Sequence, residues 1–442
     1  MKLFGKSISG VLTNDIISIL PLVKNKPPAR ILSIPDIDHD RVRGVFVGFM
    51  EDGKPFFWNP LLYPNPHLVV LGTSGSGKTS TIRTLIVRSK LFCKPPPNTL
   101  IIDSVGEYNN WVDVSGGVVY RIGEKHSINI IDAPATTPEH KIAQAIAIAT
   151  HSGIIDRRAP RQQAVFRKAL VRAFQERGID LTTDISSLKS SDIPTLRDVY
   201  NILEEMEEAK DVRSEERRII ASVKERIYNV ISGSPAFNRP STIDIISLFK
   251  GGLVCVDLHT LPTEAGKTAI TLLILWNLIY YMRQSGESRD KIRLFIVLDE
   301  AHRVYRSVQR EEESALGVGH PLDIIAREGR KYGVSLIMSS QLVEDFGKQI
   351  LGNVATIFIL KVALSQVKAL QTRLGLPIDI CQEVVNQPTF HSHVILSIKD
   401  FPQTPPIKVR VNPYFVKEDI SVEIPAITNV ASTILASIRR VR

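Results

Sequence analysis

The sequence predicts an α/β protein with a mainly parallel sheet, and three observations predict it. Short, continuous apolar runs recur along the chain, at His67–Leu71 (HLVVL), Thr99–Asp103 (TLIID), Gly252–Asp257 (GLVCVD), Leu294–Leu298 (LFIVL), Val334–Met338 (VSLIM) and Thr356–Leu360 (TIFIL). Runs without polar alternation suit strands covered on both faces, the habit of parallel sheets. Helical stretches separate these runs. The first run also leads straight into the glycine-rich segment Gly72–Thr79 (GTSGSGKT), with a helix-like stretch after it.

Taken in order, the chain opens with a small β-rich segment, residues 1–65. Val45–Met50 and Pro55–Trp58 are candidate hairpin strands across Glu51-Asp52-Gly53-Lys54, where Asp-Gly favours a tight turn. Pro64 and Pro66 then stiffen the connection into the first buried strand. Residues 66–136 form the first half of the α/β core. Between 137 and 250 strand signals almost vanish, and an inserted all-α subdomain is expected there. Phe166, Leu170 and Phe174 fall on one helix face, while Lys168 and Arg172 fall on another. With Arg161 they make a basic face that suits contact with nucleic acid but is more often a solvated helix surface. Residues 251–412 supply the second half of the core, and 413–442 a tail. The longest apolar run, Thr268–Met282, is too short to span a bilayer and contains Asn277, so a buried core helix is expected.

Composition narrows the classes. With 442 residues, 43% hydrophobic and 23% charged, the chain is globular in character rather than disordered. Its formal net charge of +9 fits a polyanionic partner, either nucleic acid or an acidic membrane face, without requiring one. Cys93, Cys255 and Cys381 lie far apart, which argues against a disulfide framework or a zinc site and for a reducing compartment. Polar residues and Asp15 interrupt the N-terminal stretch, so no signal peptide is read. A cytoplasmic location is expected, with peripheral contact at the inner face of a membrane left open.

The G-x-x-x-x-G-K-[ST] pattern has a physical rationale. Its glycines let backbone N–H groups wrap phosphates, and the following helix adds its positive end. Gly72, Thr73, Ser74, Gly75, Ser76, Gly77, Lys78, Thr79 and Ser80 are therefore candidate nucleotide-binding residues, with ATP and Mg²⁺ as ligands. Lys78 would reach the β and γ phosphates and Thr79 would ligate the metal. A P-loop also needs acidic partners at a strand end, and LFIVL is followed by Asp299-Glu300. Asp299 is the candidate for the metal's water shell and Glu300 for the general base.

Two later features complete the set. Pro321–Tyr332 (PLDIIAREGRKY) is expected to be a helix with proline in its first turn and Gly333 as its stop. Arg327, Arg330 and Lys331 would then share one face. Gln341, after the strand VSLIM, could sense the γ-phosphate or hold the attacking water. From spacing alone, a surface face and a turn residue explain the arginines and Gln341 equally well.

The motif series GTSGSGKT, IIDSVGEY (Ile101–Tyr108), SINIIDAP (Ser127–Pro134), IVLDEAHRV (Ile296–Val304) and AREGRKYGVSLIMSSQ (Ala326–Gln341) resembles the HerA/FtsK superfamily. It is most similar to HerA-type translocases and to conjugative type IV secretion ATPases, with their archaeal DNA-import relatives, from about Arg43 to Val411. The resemblance implies a RecA-like P-loop NTPase core and a homo-hexameric ring that pumps DNA. It also implies an arginine finger acting on the neighbouring subunit, Arg330 first and Arg327 second. Asp103 and Glu107 match an acidic stretch near the nucleotide, for which a turn-forming role is nearly as good. HerA proteins carry a fuller N-terminal β-barrel than residues 1–65 allow. That favours the secretion or import branch with a membrane transport-complex partner, and leaves a nuclease partner uncertain. Arg303–His320 is the candidate for a pore loop.

Overall fold

The computed structural model of the chain describes residues 44–93, 95–305, 320–397 and 405–413. The expectations for residues 1–43, for 414–442 and for most of the Arg303–His320 loop lie outside them. One eleven-stranded sheet runs through the molecule, in the order β2-β1-β11-β10-β9-β3-β8-β7-β4-β6-β5. Its strands are β1 (Val45–Met50), β2 (Pro55–Trp58), β3 (Leu68–Leu71), β4 (Asn98–Asp103), β5 (Val118–Arg121), β6 (Leu253–Asp257), β7 (Leu294–Leu298), β8 (Val334–Ser340), β9 (Thr356–Ile359), β10 (His391–Leu396) and β11 (Ile407–Val411). From β9 to β5 every neighbouring pair is parallel, whereas β10, β11, β1 and β2 extend the sheet antiparallel. The class is α/β, as the apolar runs predict.

The continuous apolar runs are explained by cover on both faces. Val69 and Leu71 belong to one hydrophobic core, and Leu68 and Val70 to the other on the opposite face. Helix α1 (Lys78–Phe92) leaves the end of β3 through the glycine loop. Between β5 and β6 lie α2 (Pro138–His151), α3 (Pro160–Glu176), α4 (Leu196–Glu208) and α5 (Ser214–Ile231). Their starts are written locally. The Thr137 hydroxyl accepts from His140 N ahead of Pro138, and Thr195 with Asp198 forms a reciprocal capping box. Phe166, Leu170 and Phe174 are fully buried along α3. The run Thr268–Met282 lies within α6 (Glu264–Ser285), a helix buried around most of its circumference. Among the described residues no helix is long and apolar enough to cross a membrane.

The basic face expected on α3 is neutralised within the helical layer. Arg161 pairs with Glu215, Lys168 with Glu216 at 3.3 Å, and Arg172 with both Glu176 and Glu205. These exposed pairs are a solvated, charge-matched surface. The expected helix over Pro321–Tyr332 is also corrected. Helix α7 (Pro321–Glu328) has proline in its first turn, but Gly329–Tyr332 tightens into a 3₁₀ turn before Gly333, at φ +69°, ends it. Arg327, Arg330 and Lys331 consequently find separate partners: Glu328 at 3.5 Å, the Pro64 carbonyl, and Glu287 at 3.1 Å.

The tightened turn packs closely against the residues just before β3. A Cβ on Gly329 would lie 3.1 Å from His67 Cε1 and 3.0 Å from the Val334 carbonyl oxygen. The buried His67 ring accepts from Leu336 N at 3.0 Å, and Ser335 Oγ donates to the Pro66 carbonyl at 2.6 Å. Residues 64–67 therefore clamp the arginine segment to the strand that leads into the phosphate loop.

Candidate functional site

A parallel sheet brings the C-terminal ends of its strands to one edge, and this edge collects the predicted residues. β3 delivers the glycine loop, β7 delivers Asp299 and Glu300, and β8 delivers Gln341. A cleft of about 600 Å³ there is lined by Ser74, Gly75, Gly77, Lys78, Thr79, Ser80, Val105, Glu107, Asp299, Glu300, His302, Arg303, Gln341 and Phe390. That is room for a nucleotide-sized ligand.

The loop's shape follows from its sequence. Gly75 and Gly77 have φ of +75° and +103°, a region that favours glycine. Gly72, Thr73 and Ser76 do not line the cleft but build the turn behind it. Thr73 N donates to the Lys361 carbonyl at 2.8 Å, Gly72 N to the Ser340 carbonyl at 3.1 Å, and Ser76 Oγ to the Thr73 carbonyl at 2.8 Å. Helix α1 begins with no side-chain cap on its first N–H groups, which suits an anion. Lys78 Nζ is buried and donates to the Gly72 carbonyl at 2.9 Å.

The acidic partners are held from several sides. The Asp299 carboxylate accepts from Ser339 Oγ on β8 and is 6% exposed. Burial pushes its pKa up to about 6, aided by the negative charges of Glu107, Asp103 and Glu300. A carboxylate so raised favours a cation beside it, and a metal between Thr79 and Asp299 would fit that demand. Burial also pushes the Glu300 carboxyl up, but His302, Gln341 and the Lys78 charge outweigh it and hold Glu300 below its usual range. Gln341 Nε2 donates to Glu300 Oε1 at 3.2 Å, and His302 Nδ1 lies 3.0 Å from Glu300 Oε2. Glu300 has φ +51°, an uncommon conformation for a non-glycine residue that concentrates at functional sites. The structure thus gathers Lys78, Thr79, Asp299, Glu300 and Gln341.

Arg327 and Arg330 lie elsewhere, before the N-terminal start of β8, and line no part of this cleft. Of the two acids left open by the sequence, Asp103 is buried and accepts from Val105, Gly106 and Tyr108 N, so it shapes the turn. Glu107 faces the cleft, where Thr79 Oγ1 donates to its carboxylate at 2.5 Å. Arg83 fixes that turn by donating to the Glu107 carbonyl and stacking over Tyr108 at 5.6 Å. Sequence reasoning missed His302 and Phe390. The first was visible two positions after Glu300; the second has no sequence signal, because only the sheet order brings it to the loop.

Known proteins share this frame. A family model described as "Helicase HerA, central domain" matches residues 64–278. The DNA import protein CedB of Sulfolobus acidocaldarius is 22% identical over 309 residues, 69% of this chain and 45% of that protein. The DNA double-strand break repair helicase HerA of Sulfurisphaera tokodaii is 26% identical over 306 residues, 67% of this chain and 54% of that protein. The chain spans about half the length of the curated relatives it matches. Among solved structures, VirB4 of Thermoanaerobacter pseudethanolicus superposes with a TM-score of 0.68 at 19% identity, over 86% of this chain and 98% of its own. The bacterial conjugative coupling protein TrwB gives 0.58 at 13% identity, over 85% of this chain and 90% of its own. Residues 64–278 thus match the central domain of HerA helicases, on a sheet of the VirB4 and TrwB kind, and the chain resembles the HerA/FtsK superfamily of P-loop ATPases.

Proposed function

We propose that this chain is an ATP hydrolase that works as a hexameric motor on DNA. The observation that carries the reading is the convergence of Lys78, Thr79, Asp299, Glu300 and Gln341 around one cleft, in a chain similar to CedB and HerA. DNA import and double-strand break repair are the contexts those relatives are named for. Residues 66–136 and 251–412 act as two halves of one nucleotide-binding core, with 137–250 inserted between them.

In this reading Lys78 holds the β and γ phosphates while the backbone of Gly72–Thr79 wraps them. Thr79 and Asp299 hold Mg²⁺, which when bound neutralises charge on the phosphate oxygens. Glu300 takes the proton of the attacking water, and Gln341 keeps the Glu300 carboxylate aimed. Arg330, with Arg327 as second choice, reaches the γ-phosphate of the neighbouring subunit. Their distance from their own cleft suits action in trans.

The test is ATP turnover with and without DNA across a salt series, with native mass read on the same sample. Stimulated turnover, salt-sensitive DNA binding and a six-subunit mass are expected. Healthy basal turnover that no DNA stimulates would remove the DNA reading.

One observation favours a second reading, a secretion-type motor that moves protein or energises a membrane assembly without gripping DNA. Arg161, Lys168 and Arg172, a basic face that could have met nucleic acid, are all paired with carboxylates, as a solvated helix surface would be. Capture of membrane-complex subunits without salt-sensitive DNA binding would select it.

A further inference from the structure

The phosphate loop has two flanks, and among the described residues the candidate catalytic groups lie on one of them. In the sheet order, β3 lies between β8 and β9. Beyond β8 stands β7, so Gln341, Asp299 and Glu300 all lie to that side. On the other side β10 runs antiparallel to β9, which brings the start of β10 to the edge where β3 ends. Phe390 immediately precedes β10 and lines the cleft from this side; among the described residues it is the one Phe, Tyr or Trp that lines it.

Phe390 is fixed in place by its surroundings. Its φ is +63°, a left-handed conformation that costs a bulky residue energy unless the fold imposes it. Both backbone groups are tied: Phe390 N donates to the Ser76 carbonyl at 3.3 Å, and Val411 N donates to the Phe390 carbonyl at 2.7 Å. The ring lies against the loop itself. A Cβ on Gly77 would come within 2.6 Å of Phe390 Cδ1 and 2.8 Å of Cε1, so Gly77 leaves the space the ring occupies.

A nucleotide has two ends, a polyanion and a flat heteroaromatic base. With the γ-phosphate directed at Asp299 and Glu300, the nucleoside must leave the loop on the opposite flank. We infer that Phe390 is the stacking platform for the nucleoside base, and that it grips the base by its face. Stacking on a phenyl ring accepts every base, so this flank provides affinity with weak discrimination between adenine and guanine. The inference rests on the ATPase reading and deepens it.

Binding of Mg-ATP and of Mg-tripolyphosphate, which has the phosphates but no base, separates the possibilities in the full chain. Glycine tolerates positive φ, so Phe390→Gly removes the ring without opposing the backbone. ATP affinity should fall roughly 5- to 100-fold in this variant, with tripolyphosphate affinity unchanged. Phe390→Tyr should bind ATP as the native chain does, and GTP should bind the native chain within a few-fold of ATP. Equal loss of both ligands in Phe390→Gly, with native-like melting, would make Phe390 a prop for the loop and overturn the inference. Unchanged ATP affinity would overturn it too. If the native chain binds tripolyphosphate and ATP equally, no base platform exists; if it binds neither, the ATPase reading itself has failed.

Discussion

The parallel half of the sheet and its antiparallel extension meet at β9, and they obey different rules. In β3, β6, β7 and β8 every residue is buried, while β1, β10 and β11 mix buried with partly exposed positions. All parallel strands end on one edge, so residues far apart in sequence converge there. Antiparallel strands alternate in direction, and the extension sends the start of β10 to that edge. The lesson is a division of labour. The parallel half concentrates the charged chemistry, and the extension braces it from outside and contributes a ring.

The bracing is specific. Arg88 on α1 donates to the Phe46 carbonyl of β1 at 3.0 Å and lies 4.8 Å over the Phe46 ring. Burial lowers its pKa to about 10, still leaving it charged at neutral pH. Trp58 on β2 donates to Thr356 Oγ1 on β9 at 3.1 Å, a buried bond that ties the hairpin to the seam between the halves.

The contrast can be broken from either side. Lys78→Ala should have the largest effect, abolishing nucleotide binding while leaving thermal melting nearly unchanged; isothermal titration of ATP checks it, and native-like affinity would remove the phosphate-site assignment. Arg330→Ala should spare ATP binding and lower hydrolysis in assembled rings by roughly 10³-fold. Loss of binding in the isolated variant would show that this arginine serves the fold instead, through its contact with the Pro64 carbonyl.

On the other side, Gly48→Ala strikes the extension. A Cβ there would sit 2.1 Å from the Arg410 carbonyl oxygen, a backbone atom that cannot swing away. A stability loss of about 1–3 kcal/mol is expected by denaturant titration, with the nucleotide affinity of the remaining folded protein intact. A loss of affinity without a loss of stability would mean that the two halves are less separate than this account holds.

The most gradual effect comes from buried imidazoles and is spread over the pH scale. Burial holds the His67 pKa at about 4 and that of His320 at about 3, both below the ordinary value of 6.5. Depressed native pKa values mean that the unfolded chain takes up these protons first. The stabilisation is therefore complete above about pH 6.5 and is lost as pH falls toward 4. The slope should approach about 1.4 kcal/mol per pH unit for each histidine. Urea unfolding from pH 7 to 4.5 measures it, and a slope unchanged by His67→Asn would show that His67 does not contribute.

Much of the parallel half was legible because burial on both faces writes itself as an uninterrupted apolar run. Strand β11 (IKVRV) escaped notice because alternation over so few residues resembles a loop, and β10 (HSHVIL) because its polar first half leaves an apolar run of only three residues. β5 escaped because it is a short edge strand with no buried residue. The site divides the same way. Lys78, Thr79, Asp299 and Glu300 were readable from local motifs, since strand, turn and function are contiguous there. The role of Glu107 depended on where the turn capped by Asp103 points, and that of Phe390 on which strand lies beside β9. Neither is encoded locally. The shared-face expectation for Arg327, Arg330 and Lys331 failed for a similar reason: the segment turns 3₁₀ at Gly329, where it packs closely against His67, a residue far away in sequence.

The central claim is that strand ends from distant regions of the chain assemble one hydrolytic cleft, with Glu300 as its base. The most direct measurement is single-turnover hydrolysis of ATP with Mg²⁺ by the native chain and by Glu300→Gln, with ATP affinity measured on both. The account predicts equal affinity within a few-fold and hydrolysis slowed by roughly 10²- to 10⁴-fold in the variant. Hydrolysis at the native rate in Glu300→Gln would contradict it.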